Sequence, residues 1–212
     1  MLTLYATLGS GNCFKPFLAM RQLMIPFETR LVDVLAGETR SEAFKAVNPA
    51  GTVPYLRVAG GQGLGESNAI LWFVADGSFL IPADAYDRAR GLQWMFFEQV
   101  KLEPFISPAR FLTRIAPDRR AGREADIAVW RERARVGLNM LNAHLATSDF
   151  VAGSSYSIAD IGVFGYVHVS PEAGVPLDSF GAIRRWIARV EATPRFLPMG
   201  EMTVAASTLV AA

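Results

Sequence analysis

The feature that most constrains this chain is a change of hydrophobic period near residues 78 to 86. Before it, short β-favouring runs alternate with helical spacing; after it, apolar residues recur at helical intervals with no convincing strand. A sheet hides one or two flat faces and a helix one stripe, so such a chain builds an α/β domain followed by an all-α domain. The predicted domains are residues 1–78 and 86–212, joined by a linker at Ile81-Pro82-Ala83-Asp84. A length of 212 residues suits two modest domains or one large one.

The first domain reads as βαβαββα. Residues 2–6, LTLYA, form a strand that ends at Gly9-Ser10-Gly11-Asn12, and Phe14, Phe17, Leu18 and Leu23 then follow at helical spacing as far as Pro26. Residues 27–34 alternate as a second strand. In such a βαβ unit the strands are expected to be parallel, and the loop at position 10 lies at the carboxyl edge of the sheet, where ligands bind. A short helix is expected around 41–47, a strand over 53–58 and a Gly60-Gly61 hairpin into a last strand. A further helix is then expected with Ser67 as its N-cap. Helices are expected at about 86–115, 120–146, 157–170 and 180–192, followed by an apolar, loosely structured tail. Ser157-Ile158-Ala159-Asp160 has the spacing of a capping box, with Asp in place of the usual Glu or Gln.

Charge and hydropathy narrow the function. Lys and Arg total 21 against 20 Asp and Glu, so no nucleic-acid partner is expected. No apolar run approaches the ~20 residues of a membrane span, and Met1-Leu2-Thr3-Leu4 lacks the basic start of a secretory signal. A cytoplasmic protein with no membrane association is expected. Cys13 is the single cysteine, which leaves it a role only as a thiol, and neither His144 nor His168 has neighbours at metal-ligand spacing. No metal is expected.

Four ordered motifs carry the chemistry: GSGNC at 9–13, NPAGTVP at 48–54, ESNAI at 66–70, and YSIADIGVF at 156–164, the last followed by RRWIARVEATPRF at 184–196. Together and at these spacings they resemble the cytosolic glutathione transferase family over essentially the whole chain. The resemblance implies a thioredoxin-like domain that binds glutathione as co-substrate, a helical domain carrying a second-substrate pocket, and a homodimer. It also implies a detoxification chemistry, conjugation of the glutathione thiolate to a small, mostly apolar electrophile.

A thiol is mostly protonated at neutral pH and the nucleophile is the thiolate, so the site must favour the anion. Ser10, aligned with the Gly-Ser of serine-type relatives, can donate its hydroxyl to a sulfur near the positive end of the first helix; its other role is a plain helix cap. Asn12 and Cys13 are the alternatives, Cys13 because a helix start lowers a thiol's pKa and cysteine-type relatives form a mixed disulfide with glutathione. Tyr5 is a weaker candidate, inside the first strand. Val53-Pro54 looks like the family's cis-proline turn, with Val53 pairing to the tripeptide as to another strand. Glu66 and Ser67 offer a counter-charge and a helix-terminal hydroxyl to the γ-glutamyl group. Thr52 stands where many bacterial relatives carry a basic or amide side chain, and Gly51 where serine-type relatives often have histidine. The glycyl carboxylate thus lacks an evident anchor, and Lys15, Arg40 and Lys45 are the substitutes unless each is a solvated charge. Phe14, Phe105, Arg110, Phe111 and Arg114 are the candidates for the second-substrate pocket. Two other functions fit the same fold: a glutathione-dependent disulfide reductase or peroxidase that uses Cys13, and a glutathione-binding protein without turnover.

Overall fold

The computed structural model describes residues 1–202, so the expected apolar tail lies largely outside the described residues. Two compact units emerge, one of Met1–Ser78 with the segment from Thr193, the other of Phe79–Ala192.

The first unit is a four-stranded mixed sheet with helices. Its strands are β1 (Leu2–Ala6), β2 (Phe27–Leu31), β3 (Tyr55–Arg57) and β4 (Gly63–Leu64), in the order β2-β1-β3-β4. β1 runs parallel to β2, with Leu4 opposite Thr29, and antiparallel to β3, with Leu4 opposite Leu56. Helix α1 (Gly11–Gln22) connects the parallel pair as expected, and α2 (Glu42–Lys45) and α3 (Ser67–Val74) follow. β2 is shorter than the alternating pattern suggested. After Val32 N–H reaches Ala6 C=O, Asp33 Oδ1 accepts Ala36 N–H at 2.8 Å and Gly37 turns at φ 80°, which ends the ladder. At the far edge Gly63 is required by packing, because a Cβ there would fall 1.8 Å from the Tyr55 hydroxyl. Gln22 Nε2 donates to Thr193 Oγ1 at 2.8 Å, tying α1 to the late segment of this unit.

The second unit is all helical: α4 (Ala85–Lys101), α5 (Glu103–Arg110), α6 (Glu124–Leu145), α7 (Ile158–Val167) and α8 (Gly181–Glu191). The single helix expected over 86–115 is broken. Leu102 leaves helical geometry at φ −121°, ψ −64°, Pro104 opens α5 where a missing N–H costs little, and Pro108 removes a donor inside it. The chain continues from α5 as a π turn, Phe111–Ile115, closed by Ala116 N–H to Phe111 C=O at 2.8 Å. α5 and α8 pack on α6, and α7 packs on α4. The capping box at the start of α7 forms, and Asp160 goes further than a cap. Fully buried, it accepts Val151 N–H and Trp186 Nε1–H on one oxygen and Ser157 N–H and Oγ–H on the other.

Candidate functional site

The loop after β1 has the form the sequence suggested. Ser10 is the N-cap of α1, in extended geometry at φ −83°, ψ 123°, and its hydroxyl oxygen accepts Cys13 N–H at 3.3 Å. A hydroxyl that accepts still carries its proton, so capping and donation to a ligand are compatible. Half-buried Ser10 therefore offers an O–H beside the positive end of a 12-residue helix.

Cys13 does not suit the role of nucleophile. The side chain is inaccessible, its sulfur accepts Thr7 N–H at 3.4 Å, and burial pushes the thiol up to about 11 despite hydrogen bonds from Ser10 and Thr7 that favour the thiolate. The cost of desolvating an anion outweighs the helix terminus here. Tyr5 is a packed strand aromatic, edge-on to Phe44 at 6.1 Å in a cluster with Val32.

Lys15 reverses the sequence expectation. It is not a solvated charge: it is fully buried on α1, and its Nζ donates to Asn12 Oδ1 at 3.0 Å and to Ser67 Oγ at 3.4 Å. Ser67 Oγ donates in turn to Asn12 Oδ1 at 3.2 Å. Two of the predicted site residues, Asn12 and Ser67, are thus brought together across 55 residues of sequence. Arg40 and Lys45 remain exposed, Lys45 beside Glu42 at 3.4 Å.

At the start of α3 the cap differs from expectation. Ser67 is the first helical residue, and Glu66 occupies the N-cap at φ 61°, ψ 114° without a capping hydrogen bond from its side chain. The exposed Glu66 is held in the left-handed half of backbone space, which non-glycine residues seldom enter. The α3 amide terminus is consequently left to other acceptors. The Val53–Pro54 bond is cis, and among the described residues no hydrogen bond takes Val53 N–H or C=O. Thr52 is exposed, and its carbonyl accepts from buried Asn48 Nδ2 at 2.8 Å, with Asn48 Oδ1 accepting Ala50 N–H. Asn48, which holds this turn in shape, was missed. Its place four residues before Thr52 in NPAGTVP was the available signal.

The five residues expected to line a second-substrate pocket are divided between the two units. Phe14 is buried in the first unit, edge-on to Phe196 at 6.5 Å. In the second unit Arg110 is buried and paired with Glu172 at 2.7 Å, Phe105 lies under the Arg133 guanidinium, and Arg114 is exposed. Of the four in this unit, Phe111 lines a cavity of about 420 Å³, together with Ser107, Pro108, Leu112, Arg119, Arg123 and Trp130. That volume and its mainly apolar wall suit a small aromatic or aliphatic molecule. Among the described residues no three His, Cys, Asp or Glu side chains gather as a metal would need, and no helix is long and apolar enough to cross a membrane.

Comparison with known proteins is consistent along the chain. Residues 9–76 match the family model for the glutathione S-transferase N-terminal domain and residues 94–194 that for the C-terminal domain. Glutathione S-transferase 2 of Anopheles gambiae is 30% identical over 91% of this chain and 91% of its own. The disulfide-bond oxidoreductase YfcG of Escherichia coli is 26% identical over 92% of each. A solved structure described as a possible glutathione S-transferase from Rhodopseudomonas palustris superposes with a TM-score of 0.92 at 42% identity, covering 96% of this chain and 91% of that one. A glutathione transferase family member from Pseudomonas fluorescens, solved with two glutathione bound, superposes at 0.79 with 26% identity, covering 92% and 89%.

Proposed function

The chain belongs to the cytosolic glutathione transferase family, and we propose that it binds glutathione as co-substrate and adds the glutathione thiolate to a small, mostly apolar electrophile, working as a homodimer. The observation that carries the reading is Ser10, a capping hydroxyl at the positive end of α1 that keeps its own proton for a sulfur. Each pKa unit by which a thiol is lowered needs about 1.4 kcal/mol of preference for the thiolate. A charge-assisted hydrogen bond together with a helix terminus supplies that order of energy.

The remaining groups suit the tripeptide. Val53, with both backbone groups open, is assigned to pair with it as a neighbouring strand would, beside Thr52 and Pro54. Ser67 at the uncapped start of α3 takes the γ-glutamyl carboxylate, and Glu66 the ammonium. Positioning and thiolate supply would provide most of the rate. A cavity of the second unit, with Phe111 on its wall, is of a size for the electrophile.

The likeness to an oxidoreductase brings forward a second reading, reduction of disulfides with glutathione. A version that relies on Cys13 conflicts with its burial; a version that relies on the Ser10-bound thiolate shares the first step. Calorimetry of glutathione binding, with the ultraviolet absorbance of the bound thiolate followed across pH, tests the shared step. Thiolate should appear below the free-thiol pKa in the wild type and be lost in Ser10→Ala. Unchanged thiolate in Ser10→Ala removes Ser10 from the role, and absence of glutathione binding refutes the proposal. Turnover on aryl halides against hydroxyethyl disulfide then separates conjugation from reduction.

A further inference from the structure

The buried ammonium beneath the start of α3 has no part in the roles assigned so far. Lys15 comes from the second turn's side of α1, is inaccessible, and reaches across to the first residue of α3, with its Nζ 3.4 Å from Ser67 Oγ and 3.0 Å from Asn12 Oδ1. We infer that Lys15 is a positioning and specificity-determining residue of the glutathione site, one that makes Ser67 a dedicated donor to the γ-glutamyl carboxylate. The inference rests on the glutathione reading given above.

The argument is one of donors and acceptors. A serine hydroxyl has one proton and two lone pairs, so by itself it can serve a ligand's donor or acceptor equally. An ammonium has donors only, so Lys15 takes one of the two lone pairs of Ser67 and repels a second cationic donor from the other, which biases Ser67 toward offering its hydroxyl proton. That proton rests on Asn12 Oδ1 at 3.2 Å, an oxygen that Lys15 also serves, at the shorter distance of 3.0 Å. A carboxylate can therefore draw the Ser67 proton away while the Asn12 oxygen stays hydrogen-bonded to Lys15. Charge acts in the same direction. An ammonium one hydrogen bond below the anion, held where water does not screen it, strengthens the pull of the α3 amide terminus on a negative group. Being inaccessible, Lys15 need not touch the ligand; it acts through Ser67.

The test compares two ligands on three proteins. Glutathione and γ-aminobutyryl-cysteinyl-glycine differ only in the α-carboxylate of the γ-glutamyl residue, so the ratio of their dissociation constants measures how strongly that group is read. The wild type should prefer glutathione, and Lys15→Met, which keeps the apolar stem, should lower the preference about tenfold or more, the range a hydrogen bond to a charged group carries. Lys15→Arg should restore it. A merely structural role would weaken both ligands alike and leave the ratio unmoved, and that result overturns the inference, as does a ratio unchanged in Lys15→Met. Should Lys15→Met not fold, Asn12→Asp serves instead. Its carboxylate pairs with the ammonium and cancels the charge with the stem intact, so the preference should again fall, and a preference equal to the wild type's refutes the role. A wild type that binds neither ligand refutes the glutathione reading itself; a wild type that binds both equally leaves that reading standing and overturns only the role of Lys15.

Discussion

Replacing Asp160 by Asn separates two opposing effects that burial imposes on one carboxylate. Asp160 accepts from Trp186 Nε1 at 2.8 Å, Val151 N–H at 2.9 Å, Ser157 N–H at 3.0 Å and Ser157 Oγ at 3.3 Å. Asn keeps an oxygen for the first pair and turns an NH₂ toward the second. The Ser157 hydroxyl can reverse and accept, but the Ser157 N–H cannot, and one orphaned buried donor costs about 1–3 kcal/mol. Asp160→Ala orphans all four donors and should cost about 4 kcal/mol, at roughly 1 per lost bond. The pH dependence isolates the charge. Burial raises the Asp160 carboxyl from 3.8 to about 6, against the four hydrogen bonds that lower it. A carboxyl so raised binds its proton more tightly in the folded state. Its stabilising contribution is full below 3.8 and is lost as pH rises through about 6. Between pH 7 and pH 5 this amounts to on the order of 1 kcal/mol in favour of the wild type at pH 5. The deficit of Asp160→Asn, measured by equilibrium urea unfolding, should therefore grow by that amount from pH 7 to pH 5. Other titrating groups are common to both proteins and cancel in the difference. A deficit that is constant or smaller at pH 5 refutes the claim that desolvation governs this carboxyl.

Further outcomes follow from buried contacts elsewhere. A Cβ at Gly137 would lie 2.5 Å from the Lys101 carbonyl oxygen, so Gly137→Ala must push α6 off the end of α4; a loss of about 2 kcal/mol is expected by thermal or urea unfolding. His168, stacked on Phe164 at 4.2 Å, is lowered by burial from 6.5 to about 4. The folded state resists its protonation, so its contribution is present above 6.5 and is lost as pH falls toward 4. His168→Gln should make stability between pH 6.5 and 5 less acid-sensitive, by an amount on the order of 1–2 kcal/mol in urea titrations. Cys13→Ala should leave the absorbance of bound glutathione thiolate and its pH midpoint unchanged, because the Cys13 thiol stays protonated; a shifted midpoint would return Cys13 to the chemistry.

What the sequence determined by itself was whatever depends on neighbours along the chain. Strand-like runs alternating with helical spacing before residues 78 to 86, and helical spacing alone after them, give a sheet with helices followed by a helical domain, because side-chain direction follows from backbone geometry alone. The Ser157-x-x-Asp160 box and the Ser10 cap were legible for the same reason, their partners lying within three residues. The break of the first long helix at Leu102 was signalled by Pro104 and Pro108, though the apolar spacing concealed it. Tertiary structure decided everything that hangs on distant partners and on burial. Lys15 read as a carboxylate anchor or a solvated charge, and only α3, 52 residues on, brought Ser67 to its ammonium; the partner of Arg110, Glu172, lies 62 residues on and had no local signal either. Cys13 shows the physical reason most directly. Its position at a helix start favours a thiolate and is visible in sequence, whereas the loss of water that overrides it is created only when strand and helix close over the sulfur.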